Sequence, residues 1–113
     1  FAIENTLRVY HEQHFAYFYF SKDDMKEWSM DSSGLEGLVN LTLKMSDIYV
    51  GVLIREEETR TKVSFRSKFD TNVEVIAREH FGGGGHIKAA GGECKGMTLS
   101  EVINKVESVF LNR

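Results

Sequence analysis

Residues 82–86 read Gly-Gly-Gly-Gly-His, and the run continues through Ile87, Lys88, Ala89 and Ala90 to a second glycine pair, Gly91 and Gly92. Lacking a Cβ, such a stretch can adopt φ > 0 and bring backbone N–H groups close to a ligand, at an entropic cost in the free chain. If the run ends at a helix N-terminus, those N–H groups and the positive end of the helix dipole converge on one point that suits an anion such as phosphate. Ile87 to Ala90 is compatible with the start of a helix, and His86 adds a side-chain donor at the rim. The plainer alternatives are a flexible tether or a turn. The shortness of the run and its lack of serine favour a shaped loop. Two nucleotide motifs are ruled out: G-x-G-x-x-G fails because Ile87 and Lys88 take the last-glycine positions, and G-x-x-x-x-G-K-[ST] does not occur.

Arg66 is the natural companion of this loop, because a planar fork of donors can hold two phosphate oxygens at once. On its own it would equally suit the solvated face of a strand. The remaining reactive types carry less. Cys94 is the single cysteine, cannot form an intramolecular disulfide, and reads as an inert small residue near a strand or turn. His11 and His14 are three apart in an expected turn, whereas the H-E-x-x-H metal motif needs four on a helix, so they read as a solvated turn.

The elements that must position these groups follow from periodicity. Thr61 to Phe69 alternates strictly, with Val63, Phe65, Ser67 and Phe69 on one side and Lys62, Ser64, Arg66 and Lys68 on the other. Ile48 to Ile54 is almost wholly apolar, as in a strand covered on both faces, and ends at Arg55; Glu56, Glu57, Glu58 and Thr59 then form a solvated turn. Two further strands, Asn5 to Tyr10 and Phe15 to Phe20, open the chain around the turn at residues 11–14. Four helix starts carry a Ser or Thr followed three residues later by an acid: Ser21 to Asp24, Ser33 to Glu36, Thr71 to Glu74 and Thr98 to Glu101. After the last, Leu99, Val102, Ile103, Val106, Val109 and Phe110 form an apolar stripe, with Met97 placed to staple onto Val102. The helix from Leu35 to Met45 carries an apolar face through Leu38, Val39, Thr42 and Met45 and presents Asn40 elsewhere. The expected fold is α+β, a small mixed β-sheet with helices packed on it.

A chain of 113 residues with 42% hydrophobic residues is one domain able to build a core. Its net charge of −3 lacks the basic footprint of proteins that grip long nucleic acid, so a nucleic-acid ligand should be short or held locally. The longest apolar run, Tyr49 to Ile54, is far below the roughly 20 residues of a membrane helix, and with no disulfide framework the chain suits a reducing cytoplasm. Phe1 in place of an initiator Met is expected of a piece of a longer polypeptide, although processing or trimming would look the same.

Together, Val63-Ser64-Phe65-Arg66-Ser67, the helix Asn72 to Phe81, and Gly82-Gly83-Gly84-Gly85-His86-x-x-Ala89-Ala90-Gly91 resemble the C-terminal DHHA domain of the DHH phosphoesterase superfamily, over essentially the whole chain. Glu36-Gly37-Leu38-Val39-Asn40 is similar to a helix start in one branch, the bacterial nanoRNases or oligoribonucleases that also dephosphorylate 3'-phosphoadenosine 5'-phosphate. The resemblance implies a DHHA-type substrate-binding domain over residues 1–113, working against a separate N-terminal DHH domain whose Asp and His residues bind manganese. No Asp-His-His occurs here, and His11, His14, His80 and His86 are not arranged with Asp residues in that pattern, so the fragment alone is expected to be inactive and to hold no metal. By the same resemblance Gly83, Gly84, Gly85 and His86 would meet a substrate phosphate, Arg66 a phosphate or base, and Ser67 a neighbouring group. Gly82, Glu36 and Asn40 are further candidates, and Asn40 could equally cap or pack. The implied substrates are short single-stranded RNA or adenosine phosphates, and a homodimeric parent enzyme is left open. Alternatives are a cyclic dinucleotide phosphodiesterase, a RecJ-like single-strand exonuclease, or a noncatalytic nucleic-acid-binding module such as alanyl-tRNA synthetases carry. The charge argues against that last module, and a purely structural glycine turn is the blandest reading.

Overall fold

The structure, a computed structural model, describes residues 7–24 and 32–111, with the side chains of Ser32 and Ser33 left out. Six strands form one sheet: β1 (Leu7–Tyr10), β2 (Phe15–Phe20), β3 (Val50–Glu56), β4 (Thr61–Ser67), β5 (Gly84–His86) and β6 (Ala89–Cys94). Their order is β1-β2-β3-β4-β6-β5. Only β2 and β3 pair in parallel, and the connection between them carries helix α1 (Ser32–Thr42), as a parallel pair requires a crossover. Helices α2 (Val73–His80) and α3 (Leu99–Leu111) follow, and residues 22–24 are also helical, giving the expected mixed α+β architecture.

The sheet is covered unequally. On one face, Phe15, Tyr17, Val52, Ile54, Val63, Phe65 and Ala90 pack against Val73, Ile76 and Ala77 of α2 and Val102, Val106 and Phe110 of α3. The α3 stripe read from the sequence is therefore the core stripe, and its Thr98–Glu101 box closes reciprocally at 2.8 and 3.1 Å. On the other face, Leu35 and Val39 of α1 pack against Phe18, Phe20 and Leu53. The alternation in Phe15–Phe20 thus serves two cores, and β3 is buried on both sides, as its unbroken apolar run demands. Since α1 lies over β2 and β3, no described element covers the same face of β4, β6 and β5.

Several boundaries differ from the sequence pattern for local reasons. Asn5 and Thr6 lie outside the described residues. The Ser21–Asp24 box forms, with reciprocal bonds of 3.0 and 3.1 Å. Helix α1 is already helical at Ser32, ahead of the expected start at Ser33, and Glu36 turns to Arg66 instead of closing a box. That helix stops at Thr42, short of Met45, where the Thr42 hydroxyl bonds the Val39 carbonyl at 2.7 Å and the backbone tightens into i to i+3 turns. The cap of α2 is Asn72, not Thr71: its Oδ1 accepts the N–H groups of Glu74 and Val75, and Glu74 pairs with Arg78. Strand β4 ends at Ser67, because Phe69 enters the left-handed region at φ 61° and turns out to solvent. The turn at residues 11–14 is more than a solvated connection. His14, at φ 59°, stacks on Tyr49 at 4.3 Å and donates its Nδ1–H to the Asp47 carbonyl at 2.8 Å, and its own carbonyl receives two backbone N–H groups. Of the acidic turn, Glu58 and Thr59 are exposed, while Arg60 ties Glu57 to Glu93 across the sheet.

Candidate functional site

The glycine run does not lead into a helix. Gly84–His86 is edge strand β5, Ile87 and Lys88 form a tight turn, and Ala89 begins β6, so the segment is a β-hairpin. The expected helix-dipole anion site is therefore absent here. Four residues, Ile87 to Ala90, could not make a helix against the competing ladder, in which Ala89 and Ala90 already pair with Arg66 and Phe65 of β4.

Backbone packing explains much of the glycine content. Gly82, at φ 61°, is the left-handed stop after α2. A Cβ on Gly83 would lie 1.9 Å from the Gly91 carbonyl oxygen, so the chain can dock on β6 only without a side chain there. At Gly85, φ 141° and a clash of 2.7 Å with the Ala89 oxygen require glycine again. Gly84 is different. Its nearest neighbour in that direction is the tip of Glu74, 3.8 Å away.

Ser67 anchors the hairpin. Its hydroxyl donates to the Thr71 carbonyl at 2.7 Å and lies 3.4 Å from the Ile87 carbonyl, while its N–H bonds the Lys88 carbonyl at 3.0 Å. The side chain is buried and already engaged, so Ser67 acts by holding the turn that carries His86, Ile87 and Lys88.

Arg66 points to the opposite face from Ser67, as alternation along β4 requires. Its Nη2 lies 2.7 Å from Glu36 Oε2 on α1, and its Nη1 donates to the Phe65 carbonyl at 2.9 Å. Glu36 is thus the second wall of the open half-face, whose floor is Ser64, Arg66, Ala89 and Gly91, all half-buried. Asn40 sits one helical turn beyond Glu36 and is exposed, on the same side of α1. In register, Arg66 stands opposite Ala89 and Ala89 opposite His86. Two strand spacings, roughly 10 Å, therefore separate the Arg66 and His86 backbones. The structure brings Arg66, Glu36, Gly91 and the β5–β6 hairpin to one end of one face. By register it sets His86 and Arg66 on the same face, and it places Ser67 and Gly82 where they hold the hairpin and end α2.

Lys68, Phe69 and Lys88 belong to the same end and were not singled out by sequence reasoning. Lys68 Nζ bonds the carbonyls of Leu43 and Met45 at 2.6 and 2.8 Å, and Phe69, Asp70, Asn72, His86, Ile87 and Lys88 line a hollow of about 590 Å³. The signal available was the break at Phe69, where the alternation meets Asp70-Thr71-Asn72.

The other reactive groups are a core cysteine and a surface His11–Asp47 pair. Cys94 is buried, and burial pushes its thiol up, away from the thiolate a nucleophile needs. The hydrogen bond from His11 holds the Asp47 carboxyl below its ordinary range. Among the described residues no three His, Cys, Asp or Glu side chains gather as metal ligands, so these residues do not fit a manganese centre. No described helix is long and apolar enough to cross a membrane.

Comparison with known proteins gives the family of the fold. Residues 12–112 match the model of the DHHA1 domain. The bifunctional oligoribonuclease and PAP phosphatase NrnA of Thermus thermophilus is 36% identical over 76 residues, covering 67% of this chain and 22% of that protein. An exopolyphosphatase-related protein from Bacteroides fragilis superposes with a TM-score of 0.87 at 26% identity, covering 97% of this chain and 32% of that one. The pGpG-specific phosphodiesterase PggH from Vibrio cholerae shares the fold, with a TM-score of 0.62 at 12% identity over 97% of this chain and 36% of that one. The chain spans about a fifth of the curated relative and a third of these structures. With a match running from the first turn to the last helix, over a sheet that ends in a glycine-rich hairpin beside an arginine, the chain belongs to the DHHA1 domain family, whose relatives include DHH-type phosphoesterases.

Proposed function

We propose that this chain is the substrate-holding domain of a DHH-family phosphoesterase acting on short single-stranded RNA or on 3'-phosphoadenosine 5'-phosphate. The observation that carries the reading is the open half-face over β4, β6 and β5, where Arg66 and the Gly83–His86 hairpin flank a floor of small residues walled by Glu36. Guanidinium and imidazole donors two strands apart suit a ligand with a phosphate at one end and a second polar or anionic group at the other. The small side chains of Ala89 and Gly91 leave room for it to lie flat.

In this reading a separate DHH domain, joined to this chain in the parent enzyme, holds manganese, which supplies the bond-breaking chemistry when bound. The residues described here bind, orient and screen the substrate from water when the two domains close on it. Likeness to a bifunctional oligoribonuclease and PAP phosphatase supports the substrate class. So does a chain with net charge −3, which suits a gripped terminus better than a long polyanion.

Titrating the chain with adenosine monophosphate while following backbone amides tests the reading. Shifts should centre on Arg66 and Gly83 to His86, with affinity around 1 mM, as a few donors without an opposing wall can supply. Arg66→Ala and His86→Ala should each weaken binding about tenfold or more. Shifts confined to other surfaces would overturn the site.

A further inference from the structure

Phe69 departs from two norms at once. Its φ of 61° is an outlier for a bulky residue, and its side chain is 61% exposed. Yet the ring is held. Tyr49 meets it edge-on at 5.4 Å and 84°, and the Lys68 ammonium lies 5.5 Å from its centroid, fixed in turn by the Leu43 and Met45 carbonyls. Strained backbone of this kind concentrates at ligand clamps. A turn needing only the left-handed conformation would be served better by glycine.

The ring opens onto the hollow that His86 and Lys88 share with it. A flat, exposed aromatic beside an imidazole and a lysine ammonium has the two parts that unpaired nucleotides bind to: a stacking surface and a phosphate grip. The polar groups orient such a ligand. Asp70 lines the Phe69 end and repels a phosphate there, so the phosphate belongs at His86 and Lys88 and the base over the ring. Asn72 Oδ1 is taken by the α2 cap, leaving its amide nitrogen as the group able to donate to a base edge.

We infer that Phe69 is the base-stacking platform of the site, laying an unpaired nucleobase on its ring while His86 and Lys88 hold the attached phosphate. This rests on the phosphate reading above and adds a requirement for a base of any identity, because every base offers a π-face. The site then selects nucleotides over bare phosphates and sugar phosphates.

The test is a parallel titration of the chain with adenosine monophosphate and ribose 5-phosphate, following the amides of Arg66, Phe69 and His86. The nucleotide should bind roughly tenfold more tightly. Phe69→Ala should bring it to the level of ribose 5-phosphate without changing the latter, and Phe69→Tyr should keep the preference. Phe69→Gly should lose the preference while raising the thermal midpoint, because the left-handed backbone is relaxed. Equal affinity for the two probes, with His86 responding to both, overturns the stacking platform and leaves the phosphate reading standing. Equal weakening of both probes by Phe69→Ala makes the ring a structural support and also overturns it. No response at His86 or Arg66 to either probe removes both readings together.

Discussion

Arg66 reaches from the sheet to α1, where its Nη2 lies 2.7 Å from Glu36 Oε2. In the proposed function a phosphate would meet the guanidinium where that carboxylate stands, so ligand and Glu36 would compete for the same donors. The two side chains remain 27% and 33% exposed, which limits the worth of the pair to about 1 kcal/mol or less. Glu36→Gln should therefore change the thermal midpoint little and tighten inorganic phosphate binding several-fold. Weaker phosphate binding by the variant would show that Glu36 holds Arg66 in its binding pose instead of competing for it.

The glycines of the hairpin separate packing from recognition. Gly83→Ala places a Cβ 1.9 Å from a backbone oxygen that cannot move without disturbing β6, and should cost about 1–3 kcal/mol or undock the hairpin. Gly84→Ala meets only a carboxylate tip at 3.8 Å, so the fold should accept it. If the Gly84 N–H approaches an anion, that same variant should lose nucleotide affinity with its melting curve unchanged. Comparable destabilisation by the two substitutions would refute the packing difference.

The sequence made the elements legible and left the junctions obscure, for reasons that particular residues show. The periodicity of Val102, Val106 and Phe110 and the alternation of Val63, Phe65 and Ser67 are set by burial, which one chain segment reports by itself. Ala89 and Ala90 suit helix and strand alike, and their place in β6 was decided by pairing with Phe65 and Arg66 far along the chain. Arg66 and the glycines could be named from the sequence. The ion pair with Glu36, the engaged hydroxyl of Ser67 and the exposed ring of Phe69 are tertiary facts with no local pattern.

Ser67 offers a way to tell support from contact. Its hydroxyl and N–H together fix the carbonyls of Thr71 and Lys88, and Val73 N–H bonds the Ile87 carbonyl beside them at 2.8 Å. Ser67→Ala should cost on the order of 1–2 kcal/mol by leaving the half-buried Thr71 carbonyl without its donor. Hydrogen exchange at the Ser67 and Val73 amides should accelerate as the hairpin loosens, with a matching loss of adenosine monophosphate affinity. Lost affinity with unchanged exchange would instead put the hydroxyl on the ligand.

The opposite edge of the sheet sets a limit at high pH. Tyr10 and Tyr17 both donate to Glu107 Oε2, at 2.8 and 2.5 Å, linking β1 and β2 to α3. Burial, followed by the bond to the Glu107 carboxylate, raises Tyr17 far above its ordinary value of 10.0, and the Glu107 bond raises Tyr10 as well. The folded chain thus keeps protons that the unfolded chain releases near pH 10. Stability from these groups is complete below that point and declines as pH rises above it, since the folded state then binds more protons than the unfolded one. Tyr17→Phe should be less stable at pH 7, by about 1 kcal/mol for the lost donor, yet fall off less steeply above pH 10, so that the two urea-unfolding profiles converge. Lysine titration is common to both proteins and cancels in the comparison. A gap that stays constant from pH 7 to about pH 11 would mean that Tyr17 titrates alike folded and unfolded, and that its bond to Glu107 does not hold the proton.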